Sequence, residues 1–311
     1  MRRKTTLANL IGKVDDMSRN HHDEYIGIDE MEFDSLESMA IGNNLVQVLP
    51  SAQRLIANRL RIPHAYLSRC PQDLQADNLN YWLGQEKKRR ETLFCRFDGY
   101  KLRAVFTEKY TAIDHGEVID TMLRNDFRPE AEVHYSLDET MLVAKFPEYN
   151  RTFGLNGDRI VPGISIANSE VGILALRIEA YFYRLVCTNG LIAKTPVTSR
   201  FKHISRRVLD EFPYVLERVV DESRHSQDKF TISMNTPVEK PAETLKSFNK
   251  QFQLSKKEAE AVNHAWDIEP GATMFQVVNA YTSAAKNESL TAQEAYKLEK
   301  TGGQILSLVR S

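Results

Sequence analysis

The chain has little cysteine. Its three residues, Cys70, Cys95 and Cys187, are odd in number, far apart and never in a CxxC pair, which argues against a disulfide framework and a cysteine-built zinc site. Long apolar runs are missing too. No window approaches the ~18 uninterrupted apolar residues of a membrane-spanning helix. The opening MRRKTTLANLIGKVDD carries arginines without an apolar core and does not read as a secretory signal. Catalytic signatures are equally scarce: there is no GxxxxGKS or GxxxxGKT phosphate loop, no GxGxxG after a strand, no HExxH and no GxSxG. These absences point to a cytoplasmic protein with no membrane segment, no cofactor and no enzymatic activity.

What is present looks globular. Apolar residues make up 42% and charged residues 27% of 311 residues, values that argue against wholesale disorder and leave room for one large or two smaller domains. The formal charge of −1 hides a segregation. Between Asp15 and Glu37 there are nine acids and one base, Arg19. Between Leu191 and Leu209 stand Lys194, Arg200, Lys202, Arg206 and Arg207, with no acid at all. A near-neutral total is therefore compatible with a polyanionic partner, because the local field decides.

Three regions emerge along the chain. Residues 1–50 are polar, acidic and weakly periodic, and read as a mobile or partner-bound arm. Residues 51–230 form a central α+β domain, and residues 231–311 a helical region. Leu55, Leu60, Ile62 and Leu67 recur near helical spacing, punctuated by Pro63 and Pro71. The period then changes. TLFCRFDGYKLRAVF predicts a hairpin turning at Asp98–Gly99, with Phe97 opposite Tyr100 and Arg96 opposite Lys101. Alternation puts Phe94, Arg96, Lys101, Arg103 and Val105 on a basic face and Leu93, Cys95, Phe97, Leu102, Ala104 and Phe106 on a core face. HGEVIDTMLRND reads as a helix, EAEVHYSLDETMLVAKF as a second hairpin, and DRIVPGISIANSE and ILALRIEAYFYRLVCTNG as long strands, the last with Leu176, Ile178, Ala180, Phe182, Arg184 and Val186 on one face and Arg177, Glu179, Tyr181, Tyr183 and Cys187 on the other. A helix is expected from about Thr198 to Ser226. Further helices are expected at Leu254–Asn263, Met274–Ala285 and Thr291–Val309, with starts marked by Ser255/Glu258 and Thr291/Glu294. The fold class is α+β: an antiparallel sheet built from hairpins, with packing helices and a helical C-terminal region.

Two clusters invite chemistry and are set aside. HHDE at His21–Glu24 has no second ligand set, so no metal is expected. Cys187, with Asn189 beside it and His203 downstream, could form a nucleophile pair. Free cysteine more often behaves as a small buried hydrophobe, and Asn189–Gly190 is a favoured turn pair, so this stretch reads as a strand end. The basic residues argue jointly. Arg96, Lys101, Arg103 and Lys109 about the hairpin, the KKRR run at Lys87–Arg90, Arg184, and the acid-free run suit phosphate neutralisation, and interleaved Phe94, Tyr110 and Tyr183 suit stacking on unpaired bases. Single-stranded nucleic acid is the expected partner; the alternative is a protein-interaction or anti-defence module working through the acidic segment.

LRAVFTEKYTAID (Leu102–Asp114), GISIANSEVG (Gly163–Gly172) and YRLVCTNGLI (Tyr183–Ile192) resemble the three hallmark blocks of the phage/plasmid-like protein family, and MFQVVNAYTSAAKN (Met274–Asn287) is similar to its late block. The resemblance spans about Ile62 to Leu308. It implies a mobile-element setting and assigns no activity, the family being a domain of unknown function. In outline the chain is also similar to single-strand annealing recombinases such as Red-beta and RecT. That similarity implies strand binding in a groove between sheet and helix, assembly into homo-oligomeric rings or filaments, and no nucleotide cofactor.

Overall fold

The computed structural model describes residues 3–155, 158–185, 189–192, 207–225 and 227–309. The chain begins with strand β1 (Arg3–Thr6), helix α1 (Leu7–Ser18), β2 (His21–Gly27), β3 (Met31–Phe33), β4 (Ser38–Ile41) and β5 (Asn44–Val48). Helices α2 (Pro50–Leu60), α3 (His64–Leu67) and α4 (Gln72–Lys87) follow, then the hairpin β6 (Thr92–Asp98) and β7 (Lys101–Phe106) and helix α5 (His115–Arg124). The centre is β8 (Glu132–Leu137), β9 (Leu142–Pro147), β10 (Phe153–Leu155), β11 (Asp158–Asn168), β12 (Arg177–Arg184) and β13 (Asn189–Ile192). The rest is helical: α6 (Arg207–Asp210), α7 (Phe212–His225), α8 (Gln227–Asn235), α9 (Pro241–Gln251), α10 (Lys256–Ile268), α11 (Met274–Ala284) and α12 (Ala292–Leu308). This is the α+β class that the change of period predicts.

Two sheets result. One runs β1-β8-β9-β11-β12-β13, with β10 paired to β11; the other runs β2-β6-β7-β5-β4-β3. Residues 1–50 are therefore not a free arm: β1 pairs with β8 in the first sheet, and β2 with β6 in the second. Their polarity misled because these strands are short and one-sided. β5 buries Val46 and Val48 and leaves Asn44, Leu45 and Gln47 exposed, a pattern too brief to register as periodic.

The first sheet is buried on both faces. On β12, Ile178, Ala180 and Phe182 join the main core with α5 and α7, while Tyr181 and Tyr183 join a smaller core against Tyr296 of α12. The alternation read from the sequence holds here, because a strand covered on both sides still sends alternate residues to opposite faces. The helix starts hold as well. Ser255 and Glu258, and Thr291 and Glu294, form reciprocal capping boxes.

The first hairpin departs from expectation by one residue. Asp98 pairs with Lys101 and Phe97 with Leu102, so the turn is Gly99–Tyr100, with Gly99 at φ 54°. Arg96 then pairs with Ala104, which leaves Arg103 as an extra, bulged residue. The bulge exchanges the faces of the rest of β7. Leu102 and Val105 share one core with Cys95 and Phe97, while Ala104 and Phe106 share another with Phe94.

Candidate functional site

Arg96 and Arg103, expected on an open basic face, are 2% and 3% exposed. The face that carries them packs against the turn after β11 and the start of α5. Arg96 donates from Nε to Asp23 (2.9 Å), from Nη1 to the Glu170 carbonyl (3.1 Å) and from Nη2 to the Asp114 carboxylate. Arg103 donates from Nη2 to Glu170 Oε2 at 2.7 Å and from Nη1 to His21 Nδ1 at 3.0 Å. Glu170 Oε1 accepts the His115 backbone N–H at 2.8 Å, at the N-terminus of α5, where the helix dipole favours an anion. Asn168 donates to the Ile113 carbonyl at 2.9 Å and lies 3.1 Å from His115 Nδ1. Burial alone would raise the Glu170 carboxyl; the His115 ring, the Arg103 guanidinium and the His115 N–H outweigh it and bring it to about 2. Burial lowers both His115 and His21 below their ordinary value. The cluster is a seam that joins the two sheets, and its arginines are not available to phosphate. Two of the quoted blocks, Leu102–Asp114 and Gly163–Gly172, meet in it. The pattern His21, Asp23 against His22, Glu24 explains the HHDE cluster: successive residues of β2 turn to opposite faces, the first pair toward the seam.

The other predicted contacts scatter. Lys101 is exposed at the hairpin tip, 3.8 Å from Asp98, and Lys109 is exposed beyond the far end of β7. Arg184 is part-buried on β12; it donates to Glu269 at 2.8 Å and lies 5.2 Å from the Phe275 ring centroid. Lys194, Arg200, Lys202 and Arg206 lie outside the described residues, as do Cys187 and His203; Arg207 begins α6, and its side chain is likewise outside them.

Two surfaces were not read as such from the sequence, although the KKRR run of the first was named there. The first lies on α4. Tyr81 and Trp82 are 61% and 45% exposed and pack edge to face at 5.2 Å. Gln85 follows one turn on, and Lys88 and Arg89 lie at the C-cap and in the turn just beyond it. Lys88 donates to Gln85 at 2.7 Å, and neither Lys88 nor Arg89 pairs with a carboxylate among the described residues. The acids of α4 are Asp73 and Asp77 in its first half and Glu86 in its last turn, which is buried and paired with Arg59 and Arg90. Alternating neither as a strand nor as an amphipathic helix, this stretch hid its exposed rings; the signal was the adjacent YW pair one turn before KKRR.

The second is a polar row beneath α12. Lys4, His134, Lys145, Ser165 and Glu179 are directly opposite one another across β1, β8, β9, β11 and β12. All but Lys4 are buried. Helix α12 supplies the partners: Glu299 accepts from Lys145, Tyr296 donates to Glu179, and Lys300 donates to Glu179 at 2.7 Å. The desolvation of Tyr296 and the adjacent Glu179 carboxylate push its phenol well above its ordinary value. Beside Lys300 the row ends at an open cleft of about 490 Å³. Polar residues at the core phase of central strands were the available signal for this row.

Among the described residues, no helix is long and apolar enough to cross a membrane. No curated protein and no solved structure matches the chain. The model of one family matches residues 103–302, a span that holds the seam's Arg103, Asp114 and Glu170, the polar row from His134 to Glu179 and its partners on α12. That match covers well over half of the sequence, and the chain belongs to the family described as Domain of unknown function (DUF932).

Proposed function

We propose that the chain binds single-stranded nucleic acid and acts, as a homo-oligomeric ring or filament, in strand annealing or homologous recombination on a mobile genetic element. The observation that carries this reading is the exposed Tyr81–Trp82 pair one to two turns from Lys88 and Arg89. Bases stack on such rings at about 1–3 kcal/mol each, in a sequence-tolerant way, while adjacent cations neutralise the backbone. Exposed Lys101 and Lys109 and the acid-free run from Lys194 to Arg207 offer the same chemistry. Arg96 and Arg103 leave the list of contacts and become supports.

The test is titration with a labelled single-stranded oligonucleotide at low salt, followed by Trp82 fluorescence. Trp266, the other tryptophan, packs partly buried against the main core and serves as an internal reference. Quenching should vanish in Trp82→Phe while label-based binding persists, weakened. Lys88→Gln and Arg89→Gln should each lower the salt slope by about 0.7.

A second reading draws on the acids between Asp15 and Glu37, which lie on exposed positions of α1 and β2–β4 and the connections around them. Such a surface suits a basic protein partner. Because β1 to β5 are built into both sheets, deleting residues 1–50 would break the fold rather than test this reading. Charge neutralisation at Asp29, Glu30 and Glu32, with partner capture as the readout, separates the two.

A further inference from the structure

The cleft beside the polar row has the composition of a ligand site. One wall is a single face of α12, on which Gln293, Tyr296, Lys297, Lys300 and Gln304 recur at helical spacing. Arg177, at the start of β12, and apolar Leu174 and Phe252 also line the cleft. Its volume of about 490 Å³ falls in the ~300–1,000 Å³ range of small-molecule pockets.

The cations are held from below. Glu179, 1% exposed, accepts from Lys300 at 2.7 Å and lies 3.9 Å from Arg177 Nη1. Glu258, 2% exposed, accepts from Lys297 at 2.8 Å, and the Gln253 carbonyl accepts from the same ammonium at 2.9 Å. Gln253 itself is in the left-handed region, at φ 50°, which fixes that carbonyl between α9 and α10. Three cations set against two buried carboxylates leave the cleft net positive. The Nε of Arg177 is buried and has no hydrogen-bond partner among the described residues.

We propose that this cleft binds a nucleoside phosphate: the phosphate at Arg177, Lys297 and Lys300, the flat base against Leu174 and Phe252, and its edge within reach of the glutamine amides. Planar anions with an apolar face fit this combination, and inorganic phosphate alone would leave the apolar wall and the amides unused. The ligand comes from one of two sources, a free nucleotide or one residue of a bound strand. The second source rests on the strand-binding reading given above; the first is independent of it.

Calorimetric titration of the full chain with deoxyadenosine 5′-monophosphate, deoxyadenosine and inorganic phosphate tests the site. Gln293→Glu is the main variant, since it brings an acid into the cleft from an exposed position without uncovering a buried charge. Lys300→Gln is the second, read alongside its melting temperature. The nucleotide should bind saturably at one site, at least tenfold tighter than phosphate, with no saturable heat from the nucleoside, and Gln293→Glu should weaken it by about tenfold or more. Loss of nucleotide binding with Trp82 quenching by a strand unchanged identifies the free nucleotide as the ligand. Weakened strand binding in Gln293→Glu, without saturable mononucleotide heat, places a strand residue in the cleft. The proposal is overturned if the nucleotide gives no saturable heat and Gln293→Glu leaves strand binding unaltered, or if nucleotide binding survives both variants unchanged. Failure of strand binding alone removes the function proposed above and leaves the mononucleotide result to decide this one.

Discussion

Arg103 and Glu170, 67 residues apart in sequence, form a charged pair at 2.7 Å with both side chains 4% exposed. One belongs to the bulge of the β6–β7 hairpin and the other to the turn after β11, so the pair clamps one sheet to the other. Removing one member of a buried pair leaves the other charge uncompensated, at about 3–5 kcal/mol. Glu170→Gln should therefore lower unfolding stability by about that amount in a urea titration. Combining it with Arg103→Met should recover a large part of the loss, whereas additive losses would show that the two groups do not act as a pair.

Acid should loosen the same seam in two stages. His115 and His21 have lowered folded values, so the unfolded chain takes up protons first as pH falls below 6.5, and stability declines from there. The charged groups facing His115 are Glu170, Arg103, Asp114 and Arg96. Glu170, held at about 2 against an ordinary 4.5, adds a second loss between those two values. Melting temperature should be highest above pH 6.5 and fall in both windows. His115→Asn should flatten the upper one; an unchanged profile in that variant contradicts the assignment.

Lys145 and Glu299 make the corresponding pair under α12, 4% and 1% exposed. Lys145→Met alone should cost about 3–5 kcal/mol, and Lys145→Met with Glu299→Leu should come close to wild type or exceed it. Thermal melts of the three proteins read this directly. A double variant as unstable as the single one would mean that the row contributes more than the pair.

Gly163 on β11 pairs with Pro147 on β9. A Cβ built there would lie 2.2 Å from the Phe146 carbonyl oxygen, an atom of the backbone that cannot swing aside. Gly163→Ala should destabilise by at least the ~1–3 kcal/mol of ordinary overpacking. Soluble, fully stable Gly163→Ala would show that the strands separate there at little cost.

Much of the fold was legible in the chain. Period-2 alternation on β12 separated Ile178, Ala180 and Phe182 from Tyr181 and Tyr183 correctly, and two capping boxes marked α10 and α12. What escaped reading depended on contacts across long separations. The bulge at Arg103 goes with a hairpin shifted by one residue, its turn at Gly99–Tyr100 against the local preference for Asp98–Gly99. Arg96 and Arg103 looked like surface cations because their carboxylates, Asp23, Asp114 and Glu170, come from three other elements. The polar row became visible only once the register placed Lys145 opposite Ser165 and Ser165 opposite Glu179.

Trp82 fluorescence during titration with a single-stranded oligonucleotide at low salt, in wild type and in Lys88→Gln/Arg89→Gln, tests the central claim most directly. Saturable quenching, weakened in the variant and with a salt slope reduced by about 1.4 for its two lost contacts, is the predicted result. No quenching and no binding by the labelled strand at low salt would contradict it.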